Sequence, residues 1–495
     1  MNLVSAFAAS AEKHGQKTAL FWGEREYSFR ELLSASQLFA GRLKEKFGVR
    51  PGDRVALWLK NCPEFIPSFF GILQAGAVAV PINNFLKTDE VSYILADAGV
   101  EVLITDAELG AHFRTLHAAL PGLKLLKVEE VVAFDFTGAF APPPPSSKSD
   151  LAALIYTSGT TGRPKGAMLS HGNLLHNVES CRIVLKTVEA DRFAVLLPLF
   201  HSYMLTVGML LPLLVGGSIV LVKSLHPVRN VLLEILQRQA TTLPAIPQFY
   251  RSIANAPLPP GIPLPLRVCI SGAAPLPVQV LRDFEAKFHI PLIEGYGLSE
   301  ASPVVTKNPL DGTRKPGSIG LPIPHVEVSI QDDSGRILGP NEIGEVCVRG
   351  GNVMLGYWKN PEATAEVMRN DWLLTGDIGY RDLEGYYYIT DRKKDMLLVN
   401  GINVYPREIE EVLYRFPGVK EAAVIGKPDS RKGEQPVAFV SLNDKATLDE
   451  KGVHQFLRKH LADYKVPRKV IVLPELPRNA TGKILKTSLR EVTIT

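Results

Sequence analysis

Cysteine is scarce in this chain: four residues in 495, Cys62, Cys181, Cys269 and Cys347, with no Cys-x-x-Cys and no histidine pairing at metal-ligand spacing. That pattern argues against a disulfide framework and a structural zinc site. An excess of one charge is also missing, since 55 Lys and Arg face 51 Asp and Glu for a net charge of +4. Nothing in that balance calls for a nucleic-acid partner, and a mixed solvated surface is its plain reading. Long uninterrupted apolar runs are absent too. The most apolar stretch, 193–222, is broken by Pro198, His201, Pro212, Gly216 and Gly217, which favours buried strand, loop and helix over a membrane span. The first residues lack a basic segment and meet Glu12 early. They read as an amphipathic helix, with the cytoplasm as the expected compartment.

What is present is alternation. Apolar, β-branched runs at 54–59, 100–105, 219–222 and 267–270 alternate with helical patterns, the signature of layered α/β structure. The length exceeds one ordinary core and fits about two to four domain-sized units. The last hundred residues read as a small α+β unit. Pro406 can open a helix carrying Ile409, Val412, Leu413 and Phe416, which Pro417-Gly418 stops. Strands are expected at 422–425 and 437–440, then a capping box of Thr447 and Glu450 before a second amphipathic helix with Val453, Phe456, Leu457 and Leu461. The fold expected is therefore α/β: a large layered domain of mixed sheets and helices, 1–393, and a small mobile α+β domain, 394–495. The charge cluster at 391–395 marks their join.

Two glycine-lysine elements stand far apart. Residues 156–166 read Tyr-Thr-Ser-Gly-Thr-Thr-Gly-Arg-Pro-Lys-Gly and follow an apolar strand pattern from Leu151 to Tyr156. Ser158, Thr160 and Thr161 offer hydroxyls, while Gly159, Gly162 and Gly166 let backbone approach an anion closely. Lys165 adds a point charge, yet Pro164 before it and Gly166 after it depart from the P-loop of nucleotide hydrolases. The segment reads as a phosphate loop, with an ordinary turn between two strands as its bland counterpart, because 167–169 can begin another strand. The second element, Pro-Arg-Asn-Ala-Thr-Gly-Lys at 477–483, sits on a loop after the small C-terminal core. Its lysine is a charge delivered from another domain.

In order and spacing these motifs resemble the adenylate-forming superfamily of acyl-CoA synthetases, adenylation domains and luciferases, over nearly the whole chain. Residues 156–166 look like its phosphate loop, Ser271-Gly272-Ala273-Ala274-Pro275 like its adenine-side loop, and Glu294-Gly295-Tyr296-Gly297-Leu298-Ser299-Glu300 like its nucleotide and magnesium motif. Thr375-Gly376-Asp377 matches the ribose segment, 391–395 the hinge, and 477–483 the catalytic-lysine loop. The resemblance implies ATP, Mg²⁺ and coenzyme A. Thr157, Ser158 and Thr160 cradle pyrophosphate, Glu300 holds Mg²⁺ and Asp377 accepts from the ribose hydroxyls. Ile389 lies on the nucleotide side, Arg392 contacts ribose or phosphate, and Lys483 bridges carboxylate and phosphate. The C-terminal domain turns about Lys394, after which Gly401 borders a pantetheine channel. Ser299 stands where threonine is common and retains the hydroxyl.

The acid is read from the presumed acyl-lining stretches, which carry no acidic or basic side chain: Tyr203 to Leu211 with Val207, Ala245 to Tyr250 with Pro247, and Ser302 to Val305 with Pro303. His201 gates the acyl tunnel or orients the carboxylate, with a satisfied structural histidine as the alternative. The uncharged lining favours an apolar tail, gaining roughly 0.8 kcal/mol per buried CH₂, and the runs at 197–203, 301–309 and 316–322 resemble those of bacterial medium- and long-chain fatty acyl-CoA ligases. An aryl-CoA ligase, transfer to a carrier-protein phosphopantetheine, and a luciferase-like oxygenase are the alternatives. The partners expected are small molecules, with peripheral membrane contact for a lipid substrate left open, as is monomer against homodimer.

Overall fold

A computed structural model describes residues 1–131, 144, 146–157, 163–256, 263–400, 402–429, 433–444, 446–478 and 483–492. Local signals begin the long helices. Asn2 and Ser5 form a capping box on Leu3–Lys13, and Ser28 and Glu31 form one on Phe29–Phe47, which Gly48 ends in the left-handed conformation. These helices present apolar faces too wide for water. They bury them between two sheets.

One sheet has six strands, in the order Lys124–Lys127, Val100–Thr105, Arg54–Trp58, Val78–Pro81, Leu151–Thr157, Lys165–Ser170. The other has nine, running from Leu321–Pro322 through Leu292–Gly297, Val268–Ser271 and Ser218–Leu221 to Arg25–Ser28. Their inner strands are mostly parallel, so they are covered on both faces and read as continuous apolar runs. One face of each sheet shares a core with the helices Leu3–Lys13, Phe29–Phe47, Phe65–Gln74 and His171–Leu185. Every residue of Phe65–Gln74 is buried. Separate clusters cover the outer face of each sheet, which makes five layers, helix and sheet alternating.

Two further sheets follow. Val326–Gln331, Gly344–Gly350, Met368–Arg369, Trp372–Arg381 and Tyr387–Arg392 form an antiparallel one. Leu397–Val399, Ile402–Val404, Val419–Asp429, Gly433–Leu442 and Val470–Val472 form another, which packs Pro406–Tyr414 and Glu450–His460 over a core of its own. Sheet membership thus changes between Arg392 and Leu397.

Three expectations are refined. The apolar stretch 193–222 divides into the strand Arg192–Val195, a π-helix Met204–Leu210, a short helix Leu211–Val215 and the strand Ser218–Leu221. Among the described residues no helix is long and apolar enough to cross a membrane. The capping box of Thr447 and Glu450 does not form, because Glu450 is itself the first helical residue and the Asp449 side chain accepts from the Lys451 N–H. A cap must sit immediately before the first helical turn, and Thr447 lies too early. The helix opened by Pro406 ends at Tyr414, so Phe416 packs against the same core from beyond the helix.

Candidate functional site

The site is centred where the third sheet meets the nine-stranded one. Antiparallel register sets Asp377 opposite Arg392, and their side chains pair at 3.0 Å, Arg392 Nε to Asp377 Oδ1. The Tyr296 hydroxyl donates to the other oxygen, Oδ2, at 2.6 Å. Asp377 is only 4% exposed, so its oxygens are satisfied by these donors rather than by water. Burial and the neighbouring Asp377 push the Tyr296 phenol up, and Asp377 raises the Arg392 guanidinium.

These groups border a cavity of about 370 Å³. Ala273, Ala274, Pro275, Glu294, Gly295, Gly297 and Ile389 line it with them, as do Pro247, Lys394 and Lys483. Two conformational details open its wall. Ala273 takes a left-handed φ of 64°, strain of the kind concentrated at functional sites. Gly297 lies so close to the next strand that a Cβ there would fall 2.1 Å from the Pro303 carbonyl oxygen. Glu294 accepts from the Leu276 N–H at 3.0 Å, with Arg407 at 3.9 Å. Burial, opposed by Arg407, pushes its carboxyl up to about 7.

The residues expected to meet phosphate lie on and beside a pair of antiparallel strands. Leu151–Thr157 pairs antiparallel with Lys165–Ser170, Thr157 opposite Lys165, so a strand stands on each side of the glycine-rich segment. Ser158, Gly159, Thr160, Thr161 and Gly162 lie outside the described residues. The Thr157 hydroxyl donates to Glu300 Oε1 at 3.3 Å, and the Tyr357 hydroxyl donates to the same oxygen at 2.9 Å. The Lys165 ammonium stands 5.3 Å from the Tyr357 ring centre. Sequence reasoning missed Tyr357, whose only local signal is an aromatic pair with Trp358. The Ser299 hydroxyl meets that of Ser202 at 2.9 Å.

Glu300 and Thr157 together offer hard oxygen donors, and no cluster of three or more His, Cys, Asp or Glu capable of holding a metal occurs among the described residues. That donor set fits a magnesium ion that keeps waters and rides on a polyphosphate, rather than one in an all-protein cage.

Lys483 reaches the cavity from the far end of the chain. Burial, with Arg392 second and Asp377 in opposition, pulls its ammonium down to about 8. His201 lies close enough to feel that ammonium, and burial plus this charge lower its imidazole to about 4. It is therefore neutral at pH 7, and its Nδ1 accepts from the Tyr203 N–H at 3.3 Å. Lys394 is lowered by burial and by Arg392. Gly401 lies outside the described residues.

With one exception the residues expected to line the acyl pocket stand apart from this cavity. Of the five residues named, Pro247 lines the cavity and Tyr203, Val207, Ser302 and Pro303 do not. Tyr203 instead donates to the Ile270 carbonyl at 3.0 Å, and its ring lies 3.1 Å from where a Cβ on Gly272 would stand. Val207 is packed in the central core, and Ser302 is fully buried. The Pro303 carbonyl accepts the Leu298 N–H. Ser271, at the end of its strand, is buried behind the wall. A tyrosine large enough to fill the space beneath the adenine-side loop is what sequence pattern alone did not weigh.

A cavity with a buried carboxylate at one end and several cations around it suits a nucleotide, and the chain is a nucleotide-handling enzyme. Residues 7–358 match the family described as AMP-binding enzyme, and 408–483 match the AMP-binding enzyme C-terminal domain. The chain belongs to this family. It is 37% identical to a long-chain-fatty-acid–CoA ligase of Bacillus subtilis, over 99% of this chain and 94% of that protein. It is 39% identical to a feruloyl-CoA synthase of an Amycolatopsis species, over 96% and 95%. A crystal structure of the anthranilate CoA ligase AuaEII with anthranoyl-AMP superposes with a TM-score of 0.91 at 32% identity, covering 99% of this chain and 96% of that one. In class the chain is an AMP-forming acid–thiol ligase.

Gly297→Ala tests the close approach at the cavity wall. Because the added methyl meets backbone, it should cost about 1–3 kcal/mol of stability and weaken ATP binding. Calorimetric melting and an ATP titration check both, and unchanged values would show that the two strands have room to part.

Proposed function

We propose that this enzyme activates an apolar monocarboxylic acid, a medium- or long-chain fatty acid first, to its acyl adenylate and then forms the coenzyme A thioester. The observation that carries this reading is the meeting of Asp377, Arg392 and Lys483 at one cavity. In the first step a carboxylate oxygen attacks the α-phosphorus of ATP, and the bond to the bridging oxygen breaks to release pyrophosphate. Charge gathers on the phosphoryl oxygens, and fixed cations lower its energy. Asp377 accepts from the ribose hydroxyls and Arg392 holds its carboxylate in place. Thr157 and Lys165 flank the phosphates. Lys483 supplies a point charge between acid and phosphate. Magnesium, held through Glu300, neutralises polyphosphate charge when bound. In the second step the sulfur of coenzyme A attacks the acyl carbon, AMP leaves with the bonding pair, and the thiol proton passes to solvent.

Lysine and thiol need the same approach to one carbonyl, so the steps must be separated in time. Lys394 lies between the last strand of one sheet and the first of the next, which supports a hinge there and the division 1–393 and 394–495. Gly401 then borders the thiol path. Four free thiols support a reducing compartment, the cytoplasm. A second reading, an aryl-CoA ligase, is favoured by the feruloyl-CoA synthase and the anthranilate CoA ligase among the similar proteins.

A pyrophosphate-release panel of short, medium, long and aromatic acids, with and without coenzyme A, tests the substrate. Medium and long chains should give the highest kcat/KM; a panel led by ferulate-like acids would transfer the assignment to an aryl-CoA ligase. Lys483→Ala should cut acid-dependent pyrophosphate release by about a thousandfold, the scale of one electrostatic stabiliser, while thioester formation from preformed acyl adenylate keeps most of its rate. Equal loss in both half-reactions would refute the division of labour. The ammonium is the working form, so kcat/KM for ATP should fall about tenfold per pH unit above about 8. Lys483→Arg, charged throughout, should lose that break in the profile.

A further inference from the structure

Tyr357 belongs to none of the motifs that point to the chemistry, yet it touches two of them. Its hydroxyl donates to Glu300 Oε1 at 2.9 Å, and its ring lies beneath the Lys165 ammonium at 5.3 Å. The residue is 8% exposed, so both contacts form away from bulk water, where hydrogen bonds to charge and cation–π contacts are strongest. Its backbone is held as well. Tyr357 bridges to Ala167 in antiparallel fashion. Around it the Trp358 N–H donates to the Gly166 carbonyl, the Met168 N–H to Gly356, and the Met354 N–H to the Glu300 carbonyl. The Tyr357 N–H donates to the Thr364 hydroxyl at 2.8 Å. One short segment is thereby strapped to the lysine-bearing strand and to the turn that carries Glu300.

The geometry points to Tyr357 as the positioning residue for the metal-binding carboxylate, orienting Glu300 while its ring holds Lys165 over the same phosphates. The inference rests on the reading of Glu300 as the magnesium residue. One carboxylate oxygen, Oε1, takes both the Tyr357 and Thr157 hydroxyls, which leaves Oε2 as the oxygen to meet a cation. Removing the tyrosine hydroxyl frees the carboxylate to rotate. Thr157 at 3.3 Å is the weaker of the two restraints.

The test is magnesium-dependent ATP binding, read as the ratio of the Kd for ATP in EDTA to its Kd with saturating Mg²⁺, by calorimetry on the full chain without acid or coenzyme A. Tyr357→Phe keeps the ring over Lys165 and removes only the hydroxyl. It should shrink the ratio about tenfold, the worth of one hydrogen bond to a charged group, while leaving the Kd in EDTA and the melting midpoint of the unliganded protein unchanged. Glu300→Gln should shrink the ratio at least as much, and the double variant should add nothing to Glu300→Gln, because residues acting through one group are not additive. A wild-type ratio in Tyr357→Phe beside a collapsed one in Glu300→Gln would overturn the positioning role alone. A wild-type ratio in Glu300→Gln would overturn the magnesium assignment and this inference with it. Equal weakening with and without magnesium in Tyr357→Phe would also overturn it, since a merely structural tyrosine loses affinity in both.

Discussion

The contact on which the rest of the site depends is the one between Asp377, Arg392 and Tyr296. A carboxylate so deeply buried is costly in isolation, and the cost is offset only while a guanidinium and a phenol hold both of its oxygens. The three residues come from two sheets, with Asp377 and Arg392 on paired strands and Tyr296 at the end of Leu292–Gly297. The Tyr296 hydroxyl on Asp377 therefore ties the third sheet to the nine-stranded one. The loop of Ala273 and the approach of Lys483 are placed by the same junction.

Charge in the site is arranged to be incomplete. Burial, Arg392 and Lys394 depress the Lys483 ammonium, and Asp377 and Asp395 oppose them. Lysine is suited to such a place because its ammonium titrates when buried, whereas arginine does not. A polyanion supplies the charge that the protein withholds. The neutral His201 beside this cluster follows the same logic, since a second cation there would add repulsion without a partner.

Sequence pattern made much of this legible, for physical reasons that differ by element. Strands of the parallel sheets are buried on both faces, so their apolar runs at 54–59 and 100–105 stand out. Glycine positions in the nucleotide motif are legible because backbone approach leaves no room for a side chain, as at Gly297. Tyr357 was illegible because its role comes from two long-range contacts, with Glu300 and Lys165, and no local spacing encodes either. The placement of the expected acyl-lining residues was illegible for the opposite reason. Tyr203, Val207 and Ser302 have the apolar or small character of a pocket, but the same character serves a packed core, and only the packing of Tyr203 on Gly272 separates the two. Thr447 shows the limit of a cap signature, which Asp449 pre-empts by standing two residues nearer the helix.

The register that sets Asp377 across from Arg392 has a consequence for what the chain tolerates. Between them the hairpin carries a bulge at Ile378 and Gly379 and turns through residues 382–386. A residue added or lost at its exposed tip, beside Leu383, disturbs least, because Tyr386 is buried and Asp382 pairs with Lys315. The same event within either strand moves every later side chain to the opposite face and parts the aspartate from its guanidinium. Length variation on this hairpin is therefore confined to its tip, and the spacing from Asp377 to the bulge is as rigid a requirement as the identity of the aspartate.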